Sequence, residues 1–557
     1  MRKHRLRSLA MGAIAVALGG FASAAQTLDP ERLSERAFEG AQWVMATQAA
    51  RAVAQVGARA AAGEGPLGDL IRLHQQQQAA LKRLRAELGR DVGAQRQAEL
   101  SGQIGKLRGE LEQLDARIRA EFPDYAEFAS PTPLSFDRVR AGLAEDEALI
   151  MTLADRTATY VWAISKQDAA WHRAELSLRE AEAIVRRIRA DLDPTRPARS
   201  AVSLAAPSGP VLPSFEAEAA HQLYQQLLAP VAQVLSGKRH VYVVKDGPLS
   251  SLPFAVLLQE PAPADEMDAE ELRAAHWLIR RHALTTLPSV SSLRNARIDA
   301  APVEQEERVA GFAGFGDPAF GGVPTQGDAP VNRSIDGFFG AGGTRLDAIR
   351  RLAPLPGTAR ELRRIAALFP QGEALVHLGA DATEATIKGT DFRDKSIISF
   401  ATHGLVTGDI SGLAEPALAF TPPNEATGLD DGLLTASEAS ELDLRADWVI
   451  LSACNTAAGD GTPGAEGLSG LARAFLFAGA RSILVSHWPV RDDVAATLTA
   501  DTLQRLQADG GLRRSVALQQ AMLDVMQDES DSSLAHPSAW APFVLVGEAG
   551  ALRAVDQ

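Results

Sequence analysis

Two residues in this chain have the type and setting for nucleophilic chemistry. Cys454 is the only cysteine among 557 residues; it ends the apolar run WVILSA and opens a loop of small and polar residues, CNTAAGDG. His403 ends a second apolar run, SIISFAT, and is followed by Gly404. Parallel strands deliver the residues at their carboxyl ends to one edge of a sheet. If the two runs are neighbouring strands, an imidazole meets a thiol at that edge, takes its proton, and leaves a thiolate able to attack a carbonyl carbon. The amides of Gly404 and Cys454 are the candidate N–H donors for the tetrahedral oxyanion, and a residue without Cβ after the histidine allows close substrate approach. Each residue alone has a plainer reading. Cys454 also reads as a small buried hydrophobe or an intermolecular bridge, and His403 as a satisfied strand-end histidine.

The elements around these residues set their context. The first residues, MRKHRLR, precede an apolar stretch from Leu9 to Phe21 and then Ala22-Ser23-Ala24, the three-part layout of a secretion signal. The expectation is a leader over 1–25 and an exported, periplasmic or secreted protein, with no later stretch apolar enough to span a membrane. No cysteine stands at the cleavage point, which excludes a lipoprotein anchor. The formal charge of −14 becomes −18 once the four cations Arg2, Lys3, Arg5 and Arg7 leave with the leader. Such a balance argues against nucleic acid or an anionic membrane as partner, since both need clustered cations.

Residues 26–130 read as helical. Leu81, Leu84, Leu88 and Val92, and then Ile104, Leu107, Leu111, Leu114 and Ile118, recur in steps of three and four. That is a coiled-coil-type seam too short for a rod, so an antiparallel hairpin or small bundle is expected, suited to recognition or support. From about residue 148 the pattern alternates strands (ALIMTLAD, TATYVWAIS, HVYVV) with helical stretches near 176–191 and 214–235. A second alternating set begins near 301 and runs through GFAGF, EALVHLG, SIISFAT, WVILSA, SILVS and FVLVG. Runs that are apolar without alternation mark strands buried on both faces, so the fold class is α/β with a doubly wound, mostly parallel sheet.

The stretches FATHG (400–404), LSACNTAAGDG (451–461), GAEGLSGLARAFLFAGARSILVSHWPV (464–490) and HPSAWAPFVLVGE (536–548) resemble the CHAT-domain family, caspase-like proteins of the clan that holds caspases, separase and gingipains. KDGPLSSLPF, LTTLPSVSSL, GFGDP and LPGTARELRRIAALF extend the resemblance over about 131–550. It implies a caspase-like core, peptidase activity by thiol attack, and a dyad falling on His403 and Cys454. Their separation of 51 residues is close to the caspase spacing of about 50. It also implies that 131–300 is a degenerate caspase-like half supporting the active half, 301–557. Two features depart from the pattern: no 34-residue tetratricopeptide repeat precedes the domain, and Lys245 stands where relatives often have proline before Asp-Gly-Pro.

Five residues near the same edge are candidates for a substrate pocket: Asp317, Asp460, Glu466, Trp488 and Asp492, with Asp493 adjacent. Grouped acids favour a basic side chain before the scissile bond, although each acid singly reads as a solvated loop residue or helix cap. His487 also follows a strand and competes as a base; Trp488 beside it suggests a pocket wall. No HExxH, Walker loop, GxSxG elbow or dinucleotide fingerprint occurs, and a chain with one cysteine builds no thiolate zinc site. The expectation is an endopeptidase that needs no metal or cofactor, acts on a protein or peptide, and is gated by autoprocessing or by a partner on the N-terminal helices. The rival is a catalytically silent scaffold that binds a peptide or partner with the same α/β domain.

Overall fold

The computed structural model describes residues 30–45, individual positions between 70 and 84, 94–121, 133–193, 214–293 except 264–266, 311–321, 345–453 except 407, 408, 411, 412 and 414, and 470–550. The leader expected at 1–25 lies outside them, as do Cys454, Asp460 and Glu466. No helix among the described residues is long and apolar enough to cross a membrane.

Among the described residues, eleven strands form one sheet. They are β1 (Glu147–Ala154), β2 (Thr159–Ser165), β3 (Ala169–Ala174), β4 (His240–Val244), β5 (Ala283–Thr286), β6 (Gly311–Pro318), β7 (Ala374–Gly379), β8 (Lys395–Ala401), β12 (Trp448–Leu451), β13 (Ser482–Ser486) and β14 (Phe543–Gly547). Their order is β3-β2-β1-β4-β5-β14-β13-β12-β8-β6-β7. Three short strands, β9 (Gly404–Leu405), β10 (Ala417–Ala419) and β11 (Leu433–Thr435), make a separate small sheet in the excursion between β8 and β12.

Within the large sheet β1, β4, β5 and β14 are mutually parallel, and so are β13, β12, β8, β6 and β7. The two blocks meet at the antiparallel pair β13–β14. The sheet is continuous across the expected boundary at 300, its two blocks run in opposite directions, and β14, from the second half, pairs in the first block and forms the seam. Both faces are covered. Trp448 and Ile450 of β12 enter one apolar cluster while Val449 and Leu451 enter the other, which explains why β12 reads as an unbroken apolar run.

The helices include α1 (Pro30–Val44), α2 (Ala94–Glu121), α3 (Phe136–Gly142), α4 (Leu178–Leu192), α5 (Ala217–Leu227), α6 (Arg345–Arg350), α7 (Pro356–Ala366), α8 (Glu384–Gly389), α9 (Gly470–Phe477), α10 (Asp492–Ala508), α11 (Arg514–Gln527) and α12 (Pro537–Trp540). Helix α7 sits close on β6 because the strand has no side chain where they touch. A Cβ at Gly316 would stand 2.7 Å from Leu362 of α7 and 2.9 Å from the Ala401 carbonyl oxygen.

The helical region expected over 26–130 divides in two. Along α1, Ser34, Phe38, Ala41 and Met45 form the buried stripe, at the steps of four and three that one helix face provides. Phe38 packs on Phe136 at 5.1 Å and Trp162 at 6.0 Å between ring centroids. Gln42 donates to the Leu134 carbonyl at 2.8 Å and accepts from the Leu134 N–H at 2.9 Å. The Phe136 N–H donates to the Glu35 carboxylate at 3.2 Å. Helix α1 thus belongs to the α/β body, while the hairpin seam forms its own cluster of Leu81 and Leu84 against Ile104, Leu107 and Leu111. If α1 is integral, Phe38→Ala should cost about 3–5 kcal/mol, the usual toll of emptying a buried aromatic site. Urea unfolding checks this, and a change within about 0.5 kcal/mol would place α1 outside the body.

Candidate active site

Strands β8 and β12 are adjacent and parallel, as the sequence reading requires. Their register pairs Trp448 with Ile397 and runs through to Leu451 opposite Phe400. From that last pair, His403 is three residues further along one strand's chain and Cys454 three further along the other. The ladder continues one bond past the strands, with the Ser452 N–H on the Phe400 carbonyl at 3.0 Å.

His403 is fully buried. Its Nε2 lies 2.9 Å from the carbonyl oxygen of Ala353, in the loop between α6 and α7. A carbonyl only accepts, so Nε2 carries the proton, and the lone pair of the neutral ring is on Nδ1. The Phe320 ring packs against the imidazole at 5.6 Å. On the far side, the His403 carbonyl accepts the Ala419 N–H at 3.0 Å, and Gly404 pairs with Leu418 across β9–β10. Backbone on one side and an aromatic ring on the other therefore hold this histidine.

The two residues before Cys454 are also held. The Ser452 hydroxyl donates to the carboxylate of Glu361 on α7 at 3.2 Å, and the carbonyl of Ala453 accepts from the Ser486 hydroxyl at 2.7 Å. Ser452, Ser486 and Glu361 are all fully buried. These holding groups were absent from the sequence reading. The Ala353 contact uses backbone alone and leaves no mark in the sequence. Glu361 did leave one: it interrupts the stripe Thr358, Leu362, Ile365 with an acid at a core-facing position.

Asp317, Trp488 and Asp492 reach the same edge by different means. Asp317 follows Gly316, which pairs with Ala401, and adopts a left-handed φ of 48°, a conformation that aspartate tolerates better than most residues. Its N–H donates to the Thr358 hydroxyl at 2.7 Å. Burial holds its carboxyl above the usual aspartate range; neighbouring Asp492 adds to the rise and Arg363 opposes it. Asp492 is buried at the start of α10 against the first turn of α7, where a Cβ on Gly357 would stand 1.6 Å from its Oδ2. Trp488 is wholly buried, with its indole N–H on the Ser538 carbonyl at 2.9 Å, so its ring belongs to the core beneath the edge. Asp493 is exposed and pairs with Arg491 at 2.7 Å.

His487 is buried beside Trp488, and its main chain is fixed at both groups: its N–H donates to the Pro542 carbonyl, and its carbonyl accepts from the Arg189 guanidinium. Burial lowers its basicity well below the ordinary histidine range, with Lys245 and Arg189 adding to the effect. Lys245 is held by the Leu252 carbonyl at 2.7 Å and lies over the Phe254 ring at 5.3 Å.

The HPSAW motif supports Trp488 from below. His536 is buried and caps α12, its Nδ1 accepting the Ser538 N–H at 3.2 Å, while Nε2 faces the Ser214 carbonyl at 3.3 Å. That arrangement requires a neutral ring with its proton on Nε2.

From 217 to 548 the sequence matches the family model described as the CHAT domain. The chain belongs to the CHAT-domain family. It is similar to tetratricopeptide repeat protein 28 of Mus musculus, 28% identical over 353 residues, which is 58% of this chain and 13% of that protein. The Homo sapiens protein of the same name is 28% identical over 355 residues, 60% of this chain and 13% of its own length. This CHAT-domain chain thus spans under a seventh of the curated relatives it matches. Among solved structures it is similar to the Saccharomyces cerevisiae separase–securin complex, at a TM-score of 0.40 and 11% identity over 76% of this chain and 32% of that one. The Arg specific cysteine proteinase gingipain R is similar at a TM-score of 0.34 and 12% identity, over 68% of this chain and 76% of its own.

Two predictions follow the geometry of this edge. Burial lowers His536 to about 4, below the unfolded value of about 6.5, so its contribution to stability is intact above pH 6.5 and lost as pH falls towards 4. The loss amounts to about 3 kcal/mol. Thermal melts between pH 7 and 4 should show the decline, and His536→Asn, which keeps a cap without titrating, should flatten it; an unchanged slope would contradict the assignment. Gly357→Ala should destabilise by about 1–3 kcal/mol through collision with Asp492. Asp492→Gly in that background should recover most of the loss in urea titrations, whereas strictly additive effects would show that the contact is not the cause.

Proposed function

We propose that this CHAT-domain protein is a cysteine endopeptidase with His403 as base and Cys454 as nucleophile. The observation that supports it best is the β8–β12 register, from which both residues follow at equal distance along adjacent parallel strands. His403, with Nε2 committed to Ala353, has Nδ1 as its basic atom. In the proposed reaction the thiol proton passes to Nδ1, and the thiolate adds to the scissile carbonyl carbon. The resulting oxyanion is bound by the Gly404 and Cys454 amides. The imidazolium then gives its proton to the departing amine as the C–N bond breaks. Water, deprotonated by the same ring, releases the acyl group and restores the thiol.

Asp317 and Asp492, with Asp460 and Glu466 after Cys454 in the sequence, select a basic side chain before the scissile bond, and Trp488 underlies that pocket. The leader over 1–25 sends the protein out of the cytoplasm, where a chain with one cysteine forms no internal disulfide. The hairpin region receives an activating protein. A binding role without catalysis is the second reading, and the curated relatives, named for their repeats, favour it.

Alkylation separates the two. At pH 6 the wild-type thiol should react with iodoacetamide about tenfold or more faster than in His403→Ala; equal rates would leave the scaffold. Host exported proteins incubated with wild type, and not with Cys454→Ala, should show new amino termini following Arg or Lys. For gating, residues 49–128 can be replaced by a short linker while α1 is kept; cleavage at the unactivated basal rate in the shortened protein, with no partner response, supports the activating role of that region. Full constitutive activity equal to that of the intact chain would remove it.

A further inference from the structure

Helix α7 and the loop before it touch both strand ends of the site. The Ala353 carbonyl holds His403, and eight residues on, Glu361 holds Ser452, which precedes Cys454 by two residues. The second oxygen of Glu361 accepts from the Thr499 hydroxyl of α10 at 2.9 Å. The carboxyl is wholly buried, and burying a carboxylate is costly even when its hydrogen bonds are made. A leucine or methionine would continue the apolar stripe of Leu362 and Ile365 at lower cost, so core filling alone does not account for an acid here. Its contacts lead instead to the strand that carries the proposed nucleophile.

We infer that Glu361 is a positioning residue for Cys454, acting through Ser452. The inference rests on the peptidase reading above. Because α7 carries Glu361 and is preceded directly by the loop carrying Ala353, and is pressed onto β6 at Gly316, one rigid element sets the separation of the imidazole from the strand end that leads to the thiol. Displacement of a reacting group by about 1 Å is enough to cost a large factor in rate.

The test follows the single cysteine. Full-length wild type, His403→Ala, Glu361→Ala, Glu361→Gln, Ser452→Ala and the Glu361→Ala/Ser452→Ala double variant are alkylated with iodoacetamide from pH 5 to 9 and quantified by mass spectrometry, with a thermal melt for each. Glu361→Ala and Ser452→Ala should each lower the His403-dependent rate at pH 6 by about tenfold. The pH of half-maximal labelling should move up towards that of an ordinary thiol, about 8.5. The double variant should be no slower than either single, and Glu361→Gln, whose amide oxygen still accepts from Ser452, should recover most of the rate. A lowered melting temperature with an unchanged pH profile would make Glu361 purely structural and overturn the inference. If Glu361→Ala does not fold, Ser452→Ala removes the same bond while leaving the carboxyl in place, and an unchanged profile there is equally decisive against it. Equal labelling of wild type and His403→Ala would instead show that the peptidase reading has failed, and the inference with it.

Discussion

The parallel ladder between β8 and β12 is the constraint on which the site depends. A shift of one residue in that register would turn every side chain of one strand to the opposite face, exchanging Trp448 and Ile450 with Val449 and Leu451 between two filled clusters. Fully apolar strands buried on both faces are ordinarily permissive about register, but here the faces differ in shape. One cluster receives an indole and the other receives Phe400, Phe475 and Phe315. The core therefore selects the register, and the register selects which residues emerge together at the carboxyl edge.

Around that ladder several buried polar groups stand at strand ends. Ser452, Ser486, Thr402 and His403 are buried, and each hydrogen bond they make to a carbonyl or carboxylate fixes a chain segment where the sheet stops supporting it. Buried polar groups require partners, so a strand end furnished in this way has few alternative conformations. The edge that meets substrate in the proposed reaction is rigid below for that reason.

Much of this was legible in the sequence. Strands β4, β8, β12, β13 and β14 announced themselves because burial on both faces leaves runs that are apolar without alternation. The adjacency of β8 and β12 was the condition that the reading of their endings required, and the ladder meets it. Strand β3 was missed because it is an outer strand, only partly covered, and its AAWHRA sequence has no consistent pattern. Strands β10 and β11 are three residues each, too short for any periodicity. Helix α11 is enclosed on most sides, and even Arg514 is buried, so only the narrow polar stripe Gln520, Asp524, Gln527 stands for the broad polar face that marks a surface helix. Asp317 and Asp492 stand close enough for one to raise the other, and which loops would meet was beyond reach of spacing alone. The seam joining the two blocks through β14 was invisible because pairing between the last strand and a strand some 260 residues earlier has no local signature.

The clamp between Gln42 and Leu134 has one more consequence. The chain departs from the body at one point and re-enters it beside that same point, 92 residues later. Such closure makes the intervening stretch a side excursion whose length the body scarcely senses, since doubling a loop costs only about 0.6 kcal/mol. A longer or shorter segment can therefore be inserted at this port without re-engineering the α/β frame to which it is attached.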